Sequence, residues 1–288
     1  MGGIAEMNKK EFDNVILKNL EVKLGEDKFG YETEDRRIYP MYYTMEAFEE
    51  FIAEANLPDY KGGELEERTN GKGEITPPKM ASVASSSRFC YLALGNGAEA
   101  IGGNDEVVFE KECKIKGIGG TAPQLDAYIA DENIFVEAKC HEIFDGKATE
   151  MRAPYQKYIS GKIEGIGFNV LANIEVKDNG YFNIPYAEFG FDKKFHRFDF
   201  KQFLCHLLGI ACQRKPAKLV YLFFKPKNDK YEESINKLFE EVVEEVRMAF
   251  DNKYIREFCE ENNIKLKAVA EYSEVMEPLT VDNIIILY

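Results

Sequence analysis

The chain has no tryptophan, only three histidines and no apolar run that approaches the roughly 20 residues needed to cross a bilayer. Its first residues, MGGIAEMNKKEF, also lack the uninterrupted apolar stretch of a secretory signal. These absences argue against a membrane protein built on apolar helices. We therefore expect a cytoplasmic protein with no membrane partner.

Cysteine pairs at metal-binding spacing are missing too. None of the six cysteines belongs to a C-x-x-C pair, so the sequence predicts neither a zinc knuckle nor a disulfide framework. The cysteine cluster that would hold an iron–sulfur centre is absent as well. We expect the thiols to be reduced and largely buried. They are Cys90, Cys113, Cys140, Cys205, Cys212 and Cys259.

Nucleotide-binding signatures and an excess of basic residues are likewise absent. The glycine-rich KGIGGT lacks the GK[ST] ending of a P-loop, and no dinucleotide fingerprint opens a helix elsewhere. The formal charge of -14 argues against a surface that binds polyanions over its whole area. A protein of this charge that binds nucleic acid needs a basic rim at one place, so we expect a strongly uneven charge distribution.

What remains is the composition of a globular protein, with 45% hydrophobic and 31% charged residues. We interpret residues 1–288 as a single α/β domain. In the first half, the apolar spacing predicts three helices and then three strands. The helices are EFDNVILKNL, MEAFEEFIAEA and SVASSSRFCYLALGNG, and the strands are EVVFEKECKI, PQLDAYIA and NIFVEAKCH. The Gly-, Glu- and Lys-rich segment 61–78 predicts a mobile loop.

The second half begins with a segment of mixed pattern, about residues 142–198, which we treat as an insertion. After it the pattern predicts a helix and a buried strand, then two more helices at about 231–250 and 254–261, and two terminal strands. The helix and buried strand are FKQFLCHLLGIACQ and KLVYLFFKP, and the terminal strands are LKAVAEY and NIIILY.

Two neighbouring strands place two acidic residues and a lysine on one face. Glu137 and Lys139 lie two residues apart in one strand, so they point to the same side of the sheet. A two-residue turn at 131–132 opposes Asp126 to Glu137, whereas a turn at 132–133 opposes Asp126 to Lys139. Both registers keep the three side chains together, and only an odd-length loop without a bulge would separate them.

This arrangement predicts a divalent metal site. Two opposed carboxylates about 5 Å apart repel each other, and burial adds a desolvation cost. Magnesium prefers carboxylate and carbonyl oxygens, so we expect a ligand set of Asp126, Glu137 and the backbone carbonyl of Ala138. Lys139 would then orient or deprotonate a metal-bound water. A solvated hairpin face is the alternative, and the apolar IFV before Glu137 disfavours it.

The D, spacer, E-A-K pattern on a hairpin, within the order helix, three strands, helix, strand, resembles the PD-(D/E)XK nuclease superfamily over residues 82–225. Leu125 stands where the literal motif has proline. The resemblance implies a restriction-endonuclease-like core, a central mixed β-sheet flanked by helices, here with N-terminal helical and C-terminal helix and strand elaborations. It also implies Mg²⁺-dependent hydrolysis of phosphodiester bonds, in which Mn²⁺ can substitute, with Asp126, Glu137 and Lys139 as catalytic residues.

Further candidates lie on the helices and strands around this hairpin. The segment KQFLCHLLGI resembles a restriction-endonuclease-like branch in which a glutamine opens this helix, and Gln202 is the matching residue. On the same helix, His206, Gly209 and Gln213 share the face of Gln202 and could look toward a metal or phosphate. Candidate DNA-binding or accessory residues are Ser87, Arg88, Glu110, Glu112 and His206. The alternative for Glu110 and Glu112 is that they lie on the solvent-exposed face of an edge strand and have no functional role.

Basic residues after the catalytic strand are candidates for a DNA-binding rim. We expect ordinary surface roles to be the commoner explanation for such residues, and likewise for His141. The rim candidates are Lys147, Arg152, Lys157 and Lys162.

The sequence therefore predicts a metal-dependent DNA endonuclease, with a restriction or defence role implied by the resemblance alone. Two alternatives stay open. One is a catalytically inactive nuclease fold that serves as a DNA-binding or assembly module, and the other is an exonuclease that acts on DNA ends. A homodimer would suit double-strand cleavage, since a two-fold partner supplies a second site. The number of metals, one or two, is not fixed by the sequence.

Overall fold

The N-terminal third of the chain is mainly helical and carries two small hairpins. The computed structural model describes residues 6–55, 64–95, 97–104 and 106–288. The helices are α1 (Lys9–Leu24), α2 (Met45–Ala55) and α3 (Ser86–Leu94). The hairpins are β1 (Phe29–Glu32) with β2 (Ile38–Tyr43), and β3 (Arg68–Thr69) with β4 (Ile75–Thr76). The three predicted helices are confirmed, and the β3–β4 hairpin lies within the predicted loop, of which residues 61–63 lie outside the described ranges.

The rest of the chain supplies the strands of the central sheet and four further helices. In chain order, the elements are β5 (Val107–Glu112), β6 (Gln124–Ile129), β7 (Ile134–Lys139), β8 (Glu150–Arg152), α4 (Gln156–Ile159), β9 (Tyr181–Asn183), α5 (Phe200–Ala211), β10 (Ala217–Pro226), α6 (Glu232–Phe250), α7 (Lys253–Asn262), β11 (Ile264–Ser273) and β12 (Ile284–Ile286). All strands and helices that the sequence predicted here are present.

A six-stranded mixed sheet in the order β12-β11-β10-β7-β6-β5 forms the centre of the described structure. β5, β6 and β7 form an antiparallel meander, while β7, β10 and β11 run parallel. Helices connect the parallel strands, as a parallel crossover requires. The protein is therefore a mixed α/β protein with a central six-stranded mixed sheet, and seven α-helices lie within the described ranges.

Helices cover the two faces of the sheet. On β10, Tyr221 and Phe224 point to opposite faces because they are three residues apart. The ring of Phe89 on α3 packs on Phe224, and the ring of Phe203 on α5 packs on Tyr221. The sheet is thus buried on both sides, which explains why β10 is a continuous apolar run. Within the described ranges, no helix has the length and apolarity needed to cross a bilayer.

The segment 142–198 contains only short regular elements and is held by aromatic packing. Within the segment, the ring of Phe168 stacks on Phe258 of α7, and the rings of Phe189 and Phe195 pack on Phe200 at the start of α5. Buried rings supply large apolar area, so they anchor a segment that lacks a long helix or strand of its own. This packing brings the end of the segment against the first turn of α5.

A buried acid on β11 yields a stability prediction. Glu271 is fully buried, and burial raises its pKa to about 8. An unfolded chain releases this proton near its ordinary pKa of 4.5, so stability falls as the pH rises between the two values. We expect Glu271→Gln to raise the free energy of unfolding by about 3 kcal/mol at pH 7 and much less at pH 5.

Urea unfolding followed by circular dichroism at pH 5 and pH 7 measures this difference. Glu257→Gln is the matched control, since Glu257 lies on α7 with more than half of its side chain exposed. A Glu271→Gln variant that is less stable than the wild type at pH 7 would contradict the prediction.

Candidate active site

The hairpin of β6 and β7 has the first of the two registers that the sequence allowed. Ala127 pairs with Val136 and Ile129 with Ile134, which places Asp126 opposite Glu137. The reversal lies at residues 130–133, where the N–H of Asn133 donates to the carbonyl oxygen of Ala130 at 3.3 Å. Asp126, Glu137 and Lys139 therefore share one face of the sheet.

The backbone ladder between these strands stops beside Asp126. In place of a backbone bond, the N–H of Ala138 donates to Oδ2 of Asp126 at 2.7 Å. A strand residue directs its N–H and its carbonyl to the same neighbouring strand. The carbonyl of Ala138 thus points to the side of β7 on which the Asp126 carboxylate lies, as the predicted ligand set requires.

Lys139 joins the hairpin to helix α5. Its Nζ donates to Oε1 of Glu137 at 2.6 Å and to Oε1 of Gln202 at 2.8 Å. The carboxylate of Asp199 caps α5 by accepting the N–H of Gln202 at 2.9 Å, so the helix begins at a fixed point beside the strand. The structure brings Gln202 into the same cluster as the three hairpin residues, although it is 63 positions from Lys139.

His206 lies one turn further along α5, behind Glu137. It is 1% exposed; its Nε2 lies 3.7 Å from Oε2 of Glu137, and its Nδ1 lies 3.4 Å from the hydroxyl of Tyr221. Burial, and then the charge of Lys139, lower the pKa of His206 to about 3. The imidazole is therefore neutral, and it packs against the carboxylate of Glu137.

Burial and neighbouring charges shift the pKa values of Asp126, Glu137 and Lys139. Burial raises the pKa of Asp126 well above the ordinary value, and the charge of Glu137 raises it further. Burial also raises the pKa of Glu137, although Lys139 opposes the shift. Burial alone would lower the pKa of Lys139, but the attraction of Glu137, Glu142 and Asp126 outweighs it and raises this pKa. Lys139 is consequently a firmly charged ammonium group.

The cluster lines a cleft of about 540 Å³ beside the end of β7. Five further acids line the cleft: Glu64 before β3, Glu110 on β5, and Glu142, Asp145 and Asp199. Glu110 lies at the register position opposite Asp126, with a φ of 60°, and burial together with Asp126 raises its pKa to about 7. Glu64 is buried; its Oε1 accepts a hydrogen bond from Lys79 Nζ at 2.7 Å, and its Oε2 has no hydrogen-bond partner within the described part of the chain.

Glu64, Lys79 and Asp199 were not among the residues that the sequence singled out. Glu64 lies in irregular chain and Lys79 in a single 3-10 turn, Lys79–Ala81, and neither is long enough to show a strand or helix periodicity in the sequence. Asp199 offered one signal, since an aspartate three residues before Gln202 fits a helix N-cap.

The residues present fit a hard divalent cation in their chemistry. Glu137 is buried and Asp126 is partly buried; burial raises the pKa of both carboxylates, and the charge of Glu137 raises that of Asp126 further. A cation bound between them would favour their charged forms. Within the described ranges, no group of three or more His, Cys, Asp or Glu side chains is arranged as a metal site. The fit therefore rests on two carboxylates plus the carbonyl of Ala138, with water for the remaining positions, as magnesium commonly retains.

The other sequence candidates divide between the cleft and distant surfaces. Ser87 lines the cleft, but Arg88 points away from it: its Nη1 donates to the carbonyl of Met80 and its guanidinium lies over the ring of Tyr43. Glu112 is exposed, as expected for a residue on the solvent-facing side of an edge strand. His141 lines the cleft and bonds Asp13 at 2.9 Å.

The proposed basic rim is only partly assembled. Lys147 lines the cleft, whereas Arg152 bonds the carbonyl of Gly119 and Lys162 pairs with Glu261 at 2.6 Å. Lys157 likewise lies outside the cleft and places Nζ over the ring of Tyr158. The cations that do line the cleft with Lys139 are Arg68, Lys79, Lys147 and Arg197.

Gly209 and Gln213 make packing contacts and do not line the cleft, and Gln213 lies just past the end of α5 rather than on the helix face predicted for it. Nε2 of Gln213 donates to Sγ of Cys113 at 3.3 Å. A Cβ on Gly209 would lie 2.7 Å from both Cβ and the carbonyl oxygen of Cys113. We expect Gly209→Ala to lower the free energy of unfolding by about 1–3 kcal/mol, because α5 must move away from the sheet.

Chemical denaturation of the Gly209→Ala protein measures this cost. Gly119→Ala is the control, since its Cβ would meet nothing within 4 Å. Equal stability of the two variants would contradict the prediction, because it would show that α5 can move away from Cys113 without loss of stability.

The chain matches no protein-family model, no curated protein and no solved structure.

Proposed function

We propose that this protein is a magnesium-dependent nuclease that hydrolyses phosphodiester bonds in DNA at the cleft beside β7. The observation that carries the proposal is the connected cluster of Asp126, Glu137, Lys139 and Gln202, in which the partly buried carboxylate of Asp126 lies opposite the buried carboxylate of Glu137 and a charged lysine links strand to helix. Removing such charged groups from water destabilises the folded protein unless a ligand such as a cation binds to them, so the cluster indicates a functional site.

Each residue of the cluster has a role in this reaction. A bound divalent cation would supply Lewis acidity and a more acidic water. Asp126, Glu137 and the carbonyl of Ala138 would hold it. Because Lys139 is firmly charged, it suits orienting the attacking water and stabilising negative charge on the phosphoryl oxygens better than removing a proton. Gln202 fixes the ammonium of Lys139 through its Oε1.

The cations in the wall of the cleft support a polyanionic substrate. Arg68 lines the cleft and makes no ion pair within the described ranges, and its Nε has no hydrogen-bond partner. Lys147 also lines the cleft, and its Nζ donates to the carbonyl of Glu142. Phosphate contacts of this kind position a nucleic acid without reading its sequence.

We further propose a restriction or defence role, a cytoplasmic location and a homodimer that cuts both strands. The six cysteines are unpaired, which suits a reducing compartment. Light scattering of the protein with and without DNA measures the oligomeric state, and a monomer under both conditions would count against the dimer.

Cleavage of supercoiled and linear DNA tests the function directly. We expect cutting with Mg²⁺ or Mn²⁺ and none with chelator, and we expect covalently closed circles to be nicked, since the cleft is proposed to act as an endonuclease. Digestion of linear DNA alone would move the assignment to an exonuclease. No cleavage of methylated or unmethylated DNA under any metal condition would remove the nuclease proposal.

An inactive DNA-binding or assembly module is the second candidate. One observation favours it: within the described residues, no three ligating side chains converge as a ready metal site. Titration calorimetry with Mg²⁺ and Mn²⁺ separates the two candidates. Binding that depends on Asp126 supports the nuclease, whereas DNA binding without any metal binding supports the module.

A further inference from the structure

A second cavity, of about 360 Å³, lies outside the candidate active cleft, between α1, α2 and α3. Its wall is largely apolar, with Leu20 from α1, Phe48 and Phe51 from α2, Leu92 from α3, and Met276 after β11. This volume is within the lower range of small-ligand pockets, about 300–1,000 Å³. An apolar wall of this kind accepts the body of a small organic molecule.

One buried cation belongs to the wall of this cavity. Arg88 is 3% exposed, and its Nη1 donates to the carbonyl oxygen of Met80 at 2.8 Å. Its Nε and Nη2 are buried and have no hydrogen-bond partner among the residues that the structure describes. Within the described ranges, no carboxylate forms an ion pair with Arg88, and its closest compensation is the ring of Tyr43, whose centroid lies 4.2 Å from Cζ.

An unpaired guanidinium in this position is expensive. Burial lowers the pKa of Arg88, which reports the cost of keeping the charge away from water. Buried charges in folded proteins are ordinarily paired. The other two cations of the wall are satisfied, since Lys23 pairs with Glu277 at 2.8 Å and Lys28 with Glu50 at 3.0 Å. Arg88 alone among them lacks an anion.

The two unpaired nitrogens define which anion would fit. Nε and Nη2 lie side by side on one edge of the guanidinium, and this pair of donors matches the two oxygens of a carboxylate. A carboxylate carries a single charge, so it costs less to bring into an apolar cavity than a doubly charged phosphate. An apolar tail would lie against the phenylalanine, leucine and methionine side chains.

We propose that this cavity binds a small apolar carboxylate, such as a medium-chain or aryl-alkyl carboxylate, whose head group pairs with Nε and Nη2 of Arg88. Because both nitrogens are shielded from solvent in this structure, binding includes rotation of the Tyr43 ring or of the Arg88 side chain. The site is separate from the nuclease proposal, and neither depends on the other.

Thermal unfolding and titration calorimetry with octanoate and with 4-phenylbutyrate test the site. We expect either carboxylate to raise the melting temperature of the wild-type protein, and 1-octanol, which has the same tail without the charge, to bind at least about tenfold more weakly. Arg88→Met keeps the apolar stem of the side chain and removes the guanidinium. We expect this variant to fold and to bind the carboxylates at least about tenfold more weakly than the wild type.

Leu92→Phe provides a second variant that leaves Arg88 in place and fills part of the cavity. Loss of carboxylate binding in this variant supports the site even if Arg88→Met folds poorly. Three results would overturn the proposal: no carboxylate binding by the wild type, equal binding of octanoate and octanol, or undiminished binding in both variants.

Discussion

Lys139→Met is expected to lower the rate of DNA cleavage by about 10²- to 10⁴-fold, the range found for groups that assist a reacting water or carry charge for the transition state. Methionine preserves most of the side-chain volume but removes the ammonium that contacts Glu137 and Gln202. The loss should fall mainly on kcat, because the charge acts at the reacting phosphate rather than along the bound DNA.

Lys147→Met is the matched control in the same cleft. Lys147 lines the wall without contacting the carboxylate pair, so its loss should weaken DNA binding and reduce the salt dependence of binding, with little effect on kcat. Single-turnover cleavage and salt titration of DNA binding measure the two effects. A Lys139→Met protein that is folded and cuts at the wild-type rate would remove Lys139 from the proposed chemistry.

The parts of this site that the sequence could predict are those governed by a short repeat. Side chains alternate along a strand, so Asp126, Glu137 and Lys139 had to share a face once the loop length was fixed. On α5, the spacing of four placed Gln202 and His206 on one face, and both reach the hairpin. Local periodicity was sufficient in both cases.

Contacts made through irregular chain lay beyond such reasoning. Glu64 and Lys79 reach the cleft from the segment before α3, and no repeat in that segment indicates where its side chains point. Ser87 and Arg88 show a related limit. Neighbouring residues of a helix point about 100° apart, so both could not face the cleft. The packing of α3 on the sheet decided that Ser87 does so and that Arg88 faces the second cavity.

Segment 142–198 was the least predictable part, for a physical reason. Its order comes from rings that pack on α5 and α7, such as Phe168 on Phe258 and Phe195 on Phe200. Contacts of this type join positions far apart in the chain and leave no helix or strand period behind. Hydrogen bonds also hold the end of this segment just before α5, because the N–H groups of residues 196–198 donate to the carboxylate of Glu245 on α6.

Asp126→Asn is expected to abolish metal-dependent cleavage, by more than about 10³-fold, because the cation contributes several kcal/mol of transition-state stabilisation. In chelator, the same variant should be more stable than the wild type, by about 1 kcal/mol. Burial and the charge of Glu137 penalise the Asp126 carboxylate, whereas a neutral asparagine avoids both costs. The amide oxygen can still accept the N–H of Ala138, so the hairpin keeps its hydrogen bond.

Added magnesium should reverse this order of stability. A cation bound only by the folded protein stabilises it by about 2.7 kcal/mol at a concentration of 100 times Kd, and we expect this gain in the wild type but not in Asp126→Asn. Thermal melts of both proteins with chelator and with Mg²⁺ measure the effect. Asp145→Asn is the control, since Asp145 lines the same cleft but pairs with Lys9 at a half-exposed position. Equal stabilisation of Asp126→Asn and wild type by Mg²⁺ would place the metal elsewhere, whereas a gain confined to proteins that retain Asp126 would tie the carboxylate pair of Asp126 and Glu137 to the cation.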